Sequence, residues 1–431
     1  MFNPNNFQGT TDSWNIQQAI NAAAASTDRT VIIPRNNNRT NGDIWEIEKT
    51  ILLPNEITVI LDGCHLRLKD GVYENIFRNE NMYNPGCLNA AGEQYGIHIV
   101  GMNDPILDGG KDNGLREQEY FRKKEGPTPR TGNLILLNNV RDYSIEGIRC
   151  INMRYWAINQ IACRGGRLRH ISFCNGDHHP NQDGINLRIG CYDIIIEDIT
   201  GRTGDDVVAL SAFPVGSDRV LLPEGRSPDI HHVTVRDVNA HTRQTIIVLR
   251  NCDGAKLYHI LIENISDCGG KYGPWGIVRI GENNYYSKRS NILGETYDIT
   301  LRNIRSMARG TIYLSSSLMD SHISDVYAGG DSMYAISTYQ PTFVFWENDC
   351  YVSGGVSLKN VLIENVYYNG LAAHCDEEAL TDVNEPFNGC ALDFRKMRDS
   401  DTLENVRFRN INTKDGSDLF LVKEGITLDI Q

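Results

Sequence analysis

The sequence predicts an all-β protein, a single-stranded parallel β-helix with a helical cap at its N-terminus. Three observations indicate this fold. A short phrase recurs along the chain, apolar and polar residues alternate within each copy of it, and only one segment has helical periodicity. Short strands at a repeating period are typical of solenoids, in which each coil buries its apolar face by stacking on the next.

The N-terminal segment, residues 1–30, is predicted to be the cap. Thr11 or Asp12 is a suitable N-cap residue for a helix between residues 10 and 26. The apolar residues expected along one face of this helix are Trp14, Ile16, Ala19, Ile20 and Ala23. Because the end coil of a solenoid exposes apolar core and open strand edges, we expect this helix to cover them.

The recurring phrase consists of an apolar residue, a polar residue, then Asn, Asp or Gly, and finally Ile or Val. Clear copies are IEDI from Ile196, VRDV from Val235 and IENI from Ile262. The phrase, including one weaker copy, starts at residues 145, 168, 196, 235, 262, 301, 323, 363 and 408. The alternation predicts a strand with one buried face, and the third residue suits a sharp turn or left-handed backbone.

The spacing of the copies falls into two groups, 22–28 and 39–45 residues. The shorter spacing fits one coil. The longer one fits a coil with an inserted loop, or two coils of which one has a degenerate phrase. We expect coils over residues 31–431 as one domain, with loop insertions near 73–94, 109–131 and 214–228. A TIM barrel would need amphipathic helices between the strands, and a propeller would need hairpin turns; neither pattern is present.

The composition is that of an ordinary globular protein with an acidic surface. Lys and Arg total 42 against 55 Asp and Glu, which gives a formal charge of −13. Both nucleic acids and anionic membranes favour a basic face, so neither is an expected partner. No apolar run reaches the roughly 20 residues of a membrane helix.

The N-terminus lacks the basic and apolar regions of a signal peptide, which predicts a cytoplasmic protein, or a secreted one if a leader has been removed. The 11 cysteines include no CxxC pair. Buried reduced thiols are therefore expected rather than disulfides or a structural zinc site, and neither a cofactor nor a metal is predicted.

Three aspartates are candidate catalytic residues. Asp183 lies in HPNQDGINL, and Asp205 and Asp206 lie in TGDDVVAL, which is 22 and 23 residues later. Residues one coil apart in a parallel β-helix stack at about 4.8 Å, so Asp183 is expected beside the pair. Clustered carboxylates repel one another, so such a cluster is expected only where it binds a cation or takes part in a reaction. Glycoside hydrolysis uses such a group, because one carboxyl protonates the leaving oxygen while another activates water.

The sequence resembles glycoside hydrolase family 28, the polygalacturonases and rhamnogalacturonases, over most of its length. The opening helix with TVIIP, the segment RTGNLILLNNVRDYSIEGI, NQD at residues 181–183 and GDD at residues 204–206 carry the resemblance. It implies a right-handed parallel β-helix and an inverting hydrolase of pectin-type or related plant saccharides. It also implies Asp205 as general acid, with Asp183 and Asp206 activating the water.

Two departures from the family pattern concern substrate binding. Where the family has Gly-His-Gly, this chain has HTRQT, so Arg243, Gln244 or Thr245 is expected in its place. Where the family has Arg-Ile-Lys, this chain keeps Arg279 but has Gly281 instead of Lys. Arg250 is a candidate replacement cation, because a guanidinium binds a carboxylate through two hydrogen bonds. Asn181, His179 and Trp275 complete the predicted substrate-binding residues.

Two other functions fit the same fold. One is a polysaccharide lyase, which would use an Arg or Lys base and Ca²⁺ held by the aspartates. The other is a non-catalytic, glycan-binding β-helix, which would not need the acidic cluster. In each case the expected partner is an oligo- or polysaccharide.

Overall fold

The structure is a computed structural model that describes residues 1–82, 89–110, 131–175, 181–214, 218–267, 276–281, 291–338, 355–371, 389–395, 397–414 and 417–431. It divides into two compact units. Unit 1 comprises Met1–Val208 and Gly216–Ser227, and unit 2 comprises Ala209–Val215 and Pro228–Gln431. None of the described helices has the length and apolar character needed to cross a membrane. The single domain over residues 1–431 stays a prediction.

Unit 1 contains helix α1 (Asp12–Ala24), two short 3-10 helices (Pro4–Asn6 and Arg219–Leu221) and strands up to β17, in which the boundary between the units falls. The strands are β1 (Thr30–Pro34), β2 (Ile44–Ile47), β3 (Ile51–Leu53), β4 (Ile57–Asp62), β5 (His65–Leu68), β6 (Phe77–Asn79), β7 (Gln94–Tyr95), β8 (Ile97–Met102), β9 (Ile106–Asp108), β10 (Ile135–Asn138), β11 (Val140–Glu146), β12 (Arg149–Ile151), β13 (Ile158–Ile161), β14 (Arg164–Cys174), β15 (Ile185–Arg188), β16 (Tyr192–Arg202) and β17 (Val208–Ala212). Within the unit, β3, β6, β10, β13 and β15 belong to one sheet and most of the others to a second.

Unit 2 repeats this alternation between two sheets. Its strands are β18 (Ile230–His241), β19 (Thr245–Asn251), β20 (Leu257–Asp267), β21 (Gly276–Ile280), β22 (Thr296–Ser306), β23 (Gly310–Leu314), β24 (Leu318–Ala328), β25 (Tyr334–Ser337), β26 (Leu358–Tyr368), β27 (Cys390–Phe394), β28 (Leu403–Glu404), β29 (Arg407–Thr413) and β30 (Asp418–Val422). The long strands carry the recurring phrase, and each pairs in parallel with the long strand of the next coil. The predicted parallel β-helix is therefore confirmed.

The first residues of the phrases stack into one buried column in unit 2. Val235 pairs with Ile262, and the column continues through Leu301, Ile323, Ile363 and Phe408, all of which are fully buried. Burial of each such side chain contributes about 1.5–3 kcal/mol. Ile262 and Leu301 are neighbours although 39 residues separate them, so the longer spacing there is one coil with an inserted loop, not two coils.

The third residue of each phrase adopts the left-handed backbone that the sequence predicts. In unit 2 these residues are Asp237, Asn264, Asn303, Asp325, Asn365 and Asn410, with φ between 50° and 58°. Their side chains also join across coils, since Asn410 donates to Asn365 (2.8 Å) and Asn365 donates to Asp325 (3.1 Å). Asn and Asp tolerate this conformation better than other residues with a Cβ, which explains their recurrence.

Helix α1 covers the edge of the first strands, as a cap should. Thr11 is its N-cap and accepts a hydrogen bond from the Trp14 N–H. The Gln17 amide donates to the Leu52 carbonyl (3.1 Å) and accepts from the Leu52 N–H (2.8 Å). Asp12 accepts from the Glu46 N–H at 2.8 Å. Side chains of the helix thus satisfy backbone groups that an open edge would leave without partners.

Two expectations about local structure need correction. Trp14 is 46% exposed, whereas Ile16, Ala19, Ile20 and Ala23 are buried; residue 14 precedes residue 16 by about 200° around the helix, so it lies on another face. Strand β6 lies within the predicted insertion 73–94, and its three buried residues show no alternation that could reveal a strand. Most of the insertion 109–131 lies outside the described residues. The insertion 214–228 includes the 3-10 helix Arg219–Leu221.

The described cysteines are reduced, and all but Cys174 are buried. Burial raises the pKa of the Cys64 and Cys163 thiols to about 12. These thiols therefore behave as small apolar core residues at neutral pH.

Replacement of Asn365 by Val should lower the melting temperature more than replacement by Gly. Both variants lose the two ladder hydrogen bonds, but only Val must hold a Cβ at φ 56°, which costs about 1–2 kcal/mol. Thermal unfolding followed by circular dichroism tests this difference. Equal melting temperatures for the two variants would contradict the proposed role of left-handed backbone at this turn.

Candidate active site

The three aspartates lie in the turns that lead into two neighbouring strands of one sheet. Asp183 is two residues before β15, and Asp206 is two residues before β17. The Gly184 N–H donates to the Asp206 carbonyl (3.0 Å), and the Ile185 N–H donates to the Val207 carbonyl (2.9 Å). In a parallel ladder this pattern pairs Gly184 with Val207 and therefore places Asp183 beside Asp206.

The NQD and GDD motifs hold each other in place through the backbone. The Gln182 carbonyl accepts hydrogen bonds from the N–H groups of Gly204 (3.0 Å) and Asp205 (3.2 Å). In return, the Asn181 N–H donates to Asp205 Oδ2 at 2.6 Å. The Asp206 N–H donates to Asp205 Oδ1 at 2.9 Å, so each carboxylate oxygen of Asp205 accepts one backbone donor. These contacts fix the plane of the Asp205 carboxyl group.

The carboxyl groups differ in exposure. Asp183 and Asp206 are each 3% exposed, whereas Asp205 is half-buried. Asn186 is fully buried and its amide donates to Asp183 Oδ2 at 3.0 Å. This contact fixes the orientation of the Asp183 carboxyl group. Asp205 is the member of the group that a substrate can reach most directly.

Gly184 allows the NQDG turn to pack closely against the neighbouring coils. A Cβ at this position would lie 2.5 Å from the Val207 carbonyl oxygen and 2.7 Å from the Phe173 ring. No side chain fits there without displacing the neighbouring coil. Glycine therefore lets the two acid-bearing turns approach each other.

A buried cation stands on the same strand as Asn186. Arg188 has a side chain only 11% exposed and pairs with Asp218 through Nε at 2.5 Å. Its guanidinium also lies over the ring of Trp156, 4.6 Å from the centroid. The Ala157 N–H donates to the Asp183 carbonyl (2.9 Å), which places Trp156 beside Asp183 on the neighbouring coil. Asp218 thus ties the segment after residue 217 to the coil that carries the acids.

The cations predicted for substrate binding lie together on two strands of unit 2. Val248 of β19 pairs with Arg279 of β21, and the Gly281 N–H donates to the Leu249 carbonyl at 2.7 Å. This register places Arg250 directly beside Gly281. Two residues along the strand and one strand across put the Cα atoms of Arg250 and Arg279 about 8 Å apart. Both side chains are half-buried.

The structure explains why lysine is absent at position 281. Gly281 has φ 96°, and a Cβ there would lie 2.4 Å from Ser316 Oγ. A side chain would be strained by the backbone and would collide with the next coil. On the neighbouring strand, the residue beside Gly281 is Arg250.

The remaining predicted substrate-binding residues are placed only in part. Arg243 and Gln244 are half-buried and lie in the turn that enters β19, where the Gln244 N–H donates to Thr242 Oγ1 (3.1 Å). Asn181 is half-buried beside Asp205. His179 and Trp275 lie outside the described residues. Among the residues that the structure describes, no group of three His, Cys, Asp or Glu side chains could hold a metal ion.

Residues 96–220 match the sequence model of glycosyl hydrolases family 28, and this segment contains all three aspartates. Over this segment the chain is similar to that family. The resemblance predicted from the motifs is thereby confirmed, and the match supports a glycoside hydrolase on a parallel β-helix fold. A comparison with curated protein sequences finds no match.

Several solved structures share the fold at low sequence identity. An exopolygalacturonase from Thermotoga maritima is 15% identical, over 85% of this chain and 89% of its own, with a TM-score of 0.54. A polygalacturonase from Erwinia carotovora is 12% identical over 99% and 95% of the two chains, with a TM-score of 0.56. The A-module of a mannuronan C-5 epimerase from Azotobacter vinelandii is 13% identical over 100% and 98%, with a TM-score of 0.62.

Sequence reasoning missed Asn186, Arg188 and Asp218. Asn186 and Arg188 occupy positions that the strand pattern leaves undefined, because β15 is buried at all four residues. Asp218 is 30 residues from Arg188 along the chain and follows no motif. The signal that could have identified them is the placement of a polar and a charged residue within the short apolar run INLRI.

Replacement of Asp218 by Asn should destabilise unit 1 markedly. Arg188 would lose its buried counter-charge, and breaking a buried ion pair costs about 3–5 kcal/mol. The melting temperature and the fluorescence of Trp156 should both change. Asp399→Asn is the matched control, because Asp399 is 97% exposed and solvent screens its pair with Lys423. An Asp218 variant that melts like the control would contradict the inferred anchoring.

Proposed function

We propose that the protein is an inverting glycoside hydrolase that cleaves pectin-type, galacturonate-containing or related plant oligo- and polysaccharides. The observation that carries this proposal is the register that stacks Asp183 on Asp206, with Asp205 adjacent, inside the segment that matches glycosyl hydrolases family 28. Inverting hydrolysis needs one carboxyl group at the leaving oxygen and at least one more at the attacking water.

The environments of the three aspartates support different roles. Asp205 is the most exposed, and two backbone N–H groups hold its carboxyl plane. It therefore suits the general acid, which must meet the glycosidic oxygen of the substrate. Asp183 and Asp206 are neighbours on adjacent coils and are buried, so together they suit the binding and deprotonation of one water molecule. The amide of Asn186 holds the Asp183 carboxyl group in one orientation, as a base that must meet a bound water requires.

An acidic sugar is the substrate that best fits the cations of unit 2. The chain carries a net charge of −13, so a polyanionic substrate needs local positive charge at its binding residues. Arg250 and Arg279 supply it on adjacent strands, about 8 Å apart. A guanidinium binds a carboxylate through two parallel hydrogen bonds. Arg243 and Gln244 are further candidates for contacts with the sugar.

Asp205→Asn should lower turnover by about 10²–10⁴-fold, the usual contribution of a general acid, while substrate binding persists. Initial rates on defined pectic oligosaccharides provide the measurement, and NMR of the first product anomer tests inversion. Asp320→Asn is a matched control, because Asp320 is exposed and an Asn oxygen can still accept from Asn360. Activity of the Asp205 variant within tenfold of wild type would refute the acid role. Products with a new ultraviolet absorbance would indicate a lyase instead.

Arg279→Gln should raise KM for substrates that bear a carboxylate much more than for neutral ones. The lost charge–charge hydrogen bonds contribute binding only where the ligand is anionic. Arg302→Gln is the control, because Arg302 lies on β22 with an exposed side chain paired to Glu263. Equal effects of the Arg279 change on acidic and neutral oligosaccharides would count against a uronate substrate.

A further inference from the structure

Asn175 is a buried residue that joins three successive coils of unit 1. It directly follows strand β14 and is 4% exposed. Its Oδ1 accepts a hydrogen bond from the Met153 N–H (2.8 Å), and its own backbone N–H donates to the Arg202 carbonyl (3.0 Å). Because Met153 lies in the turn after β12 and Arg202 ends β16, these contacts attach Asn175 to the coils on both sides.

The side-chain amide of Asn175 also reaches the motif NQD. Asn175 Nδ2 donates to Oε1 of Gln182 at 2.8 Å, so the bond runs from the end of β14 to the turn that leads into β15. Gln182 is half-buried and lies between Asn181 and Asp183. The contact therefore fixes the side chain of the central residue of the motif.

Gln182 in turn holds the turn that carries Asp205. Its carbonyl accepts hydrogen bonds from the N–H groups of Gly204 (3.0 Å) and Asp205 (3.2 Å). The residue before it, Asn181, donates its N–H to Asp205 Oδ2 at 2.6 Å. A shift of Gln182 would move both the acceptor of these backbone bonds and the donor to the carboxyl group. Asn175 is thus connected to the Asp205 carboxyl group through Gln182 and its neighbour.

The position of a general acid matters more for the chemical step than for substrate binding. Such a group transfers its proton only from about 2.6–3.2 Å away, and a misplacement of about 1 Å can lower the rate about 10²-fold. We propose that Asn175 is a positioning residue that acts through Gln182 to hold the Asp205 carboxyl group where it meets the glycosidic oxygen. This inference rests on the proposed role of Asp205 as general acid.

A second Asn–Gln pair in unit 1 offers a matched control. Asn79 is fully buried, its Oδ1 accepts from the Asn138 N–H (2.9 Å), and its Nδ2 donates to Gln94 Oε1 (3.0 Å). These are the same kinds of contact that Asn175 makes, but they lead to residues 94 and 138 and not to the turns of the aspartates. Asn79→Ala therefore removes an equivalent buried amide and leaves the proposed acid untouched.

The kinetic test compares Asn175→Ala, Gln182→Met and the double variant with Asn79→Ala, each in the full chain. The substrates are the sugar oligomer that the wild type cleaves fastest and the nitrophenyl glycoside of the same sugar, whose leaving group departs without a proton from an acid. Asn175→Ala and Gln182→Met should each lower kcat on the oligomer about tenfold, with KM and the nitrophenyl rate changed less than about twofold. The double variant should be no slower than either single one, because the two residues act as a pair. Asn79→Ala should leave all of these values within about twofold.

Hydrogen exchange followed by mass spectrometry tests the positioning without a substrate. In Asn175→Ala the amides of residues 203–206 should exchange at least about fivefold faster than in the wild type, because the Gln182 carbonyl holds two of them. Asn79→Ala should leave their exchange unchanged. Where the nitrophenyl glycoside is not cleaved, this exchange and the oligomer rates decide.

The outcomes separate this inference from the proposed hydrolase. Unchanged exchange at residues 203–206 in Asn175→Ala, equal effects of Asn175→Ala and Asn79→Ala, or an equal loss of rate on both substrates would overturn the positioning role, even in an active hydrolase. If the wild type cleaves no glycoside but the exchange difference is found, Asn175 still holds the Asp205 turn and the hydrolase proposal fails.

Discussion

The parallel pairing of one coil with the next is the constraint on which the rest of the structure depends. In unit 2 the same buried column runs from Val235 to Phe408, although loops of different length separate its members. Once that column is in register, every other residue of a coil is also fixed relative to its neighbour. In unit 1 the same kind of ladder brings Asp183 beside Asp206, even though neither side chain contributes to the apolar core.

This constraint also explains how much of the fold could be predicted from the sequence. The phrases that start at Ile262 and Ile363 carry both signals of the coil, a buried first residue and a third residue that accepts left-handed backbone, so the strands and their turns were predictable. The spacing of Asp183 and Asp206 predicted their adjacency because it equals one coil. Strand β6 was not predictable, since three buried residues have no period.

The candidate site was harder to predict where it depends on contacts between distant segments. Asp218 meets Arg188 only because the chain returns after a loop, and nothing in the local sequence encodes that return. From the sequence alone, glycine at position 281 is a departure from the family's Arg-Ile-Lys motif that removes a cation. The structure shows instead that Ser316 fills the space of a side chain at position 281 and that Arg250 lies beside Gly281 on the other neighbouring strand. A substitution in one coil is therefore understood only together with the coils on either side.

The hydrogen bonds that helix α1 makes to the first strands have a consequence for assembly. Asp12, Ser13 and Gln17 engage backbone groups of residues 46–52, which are the groups that another β-strand would otherwise use. The helix therefore competes with strands of other molecules for the same ladder. A chain whose helix is detached would expose these backbone groups to the strands of other molecules. The amphipathic helix therefore prevents end-to-end association of solenoids at the first coil.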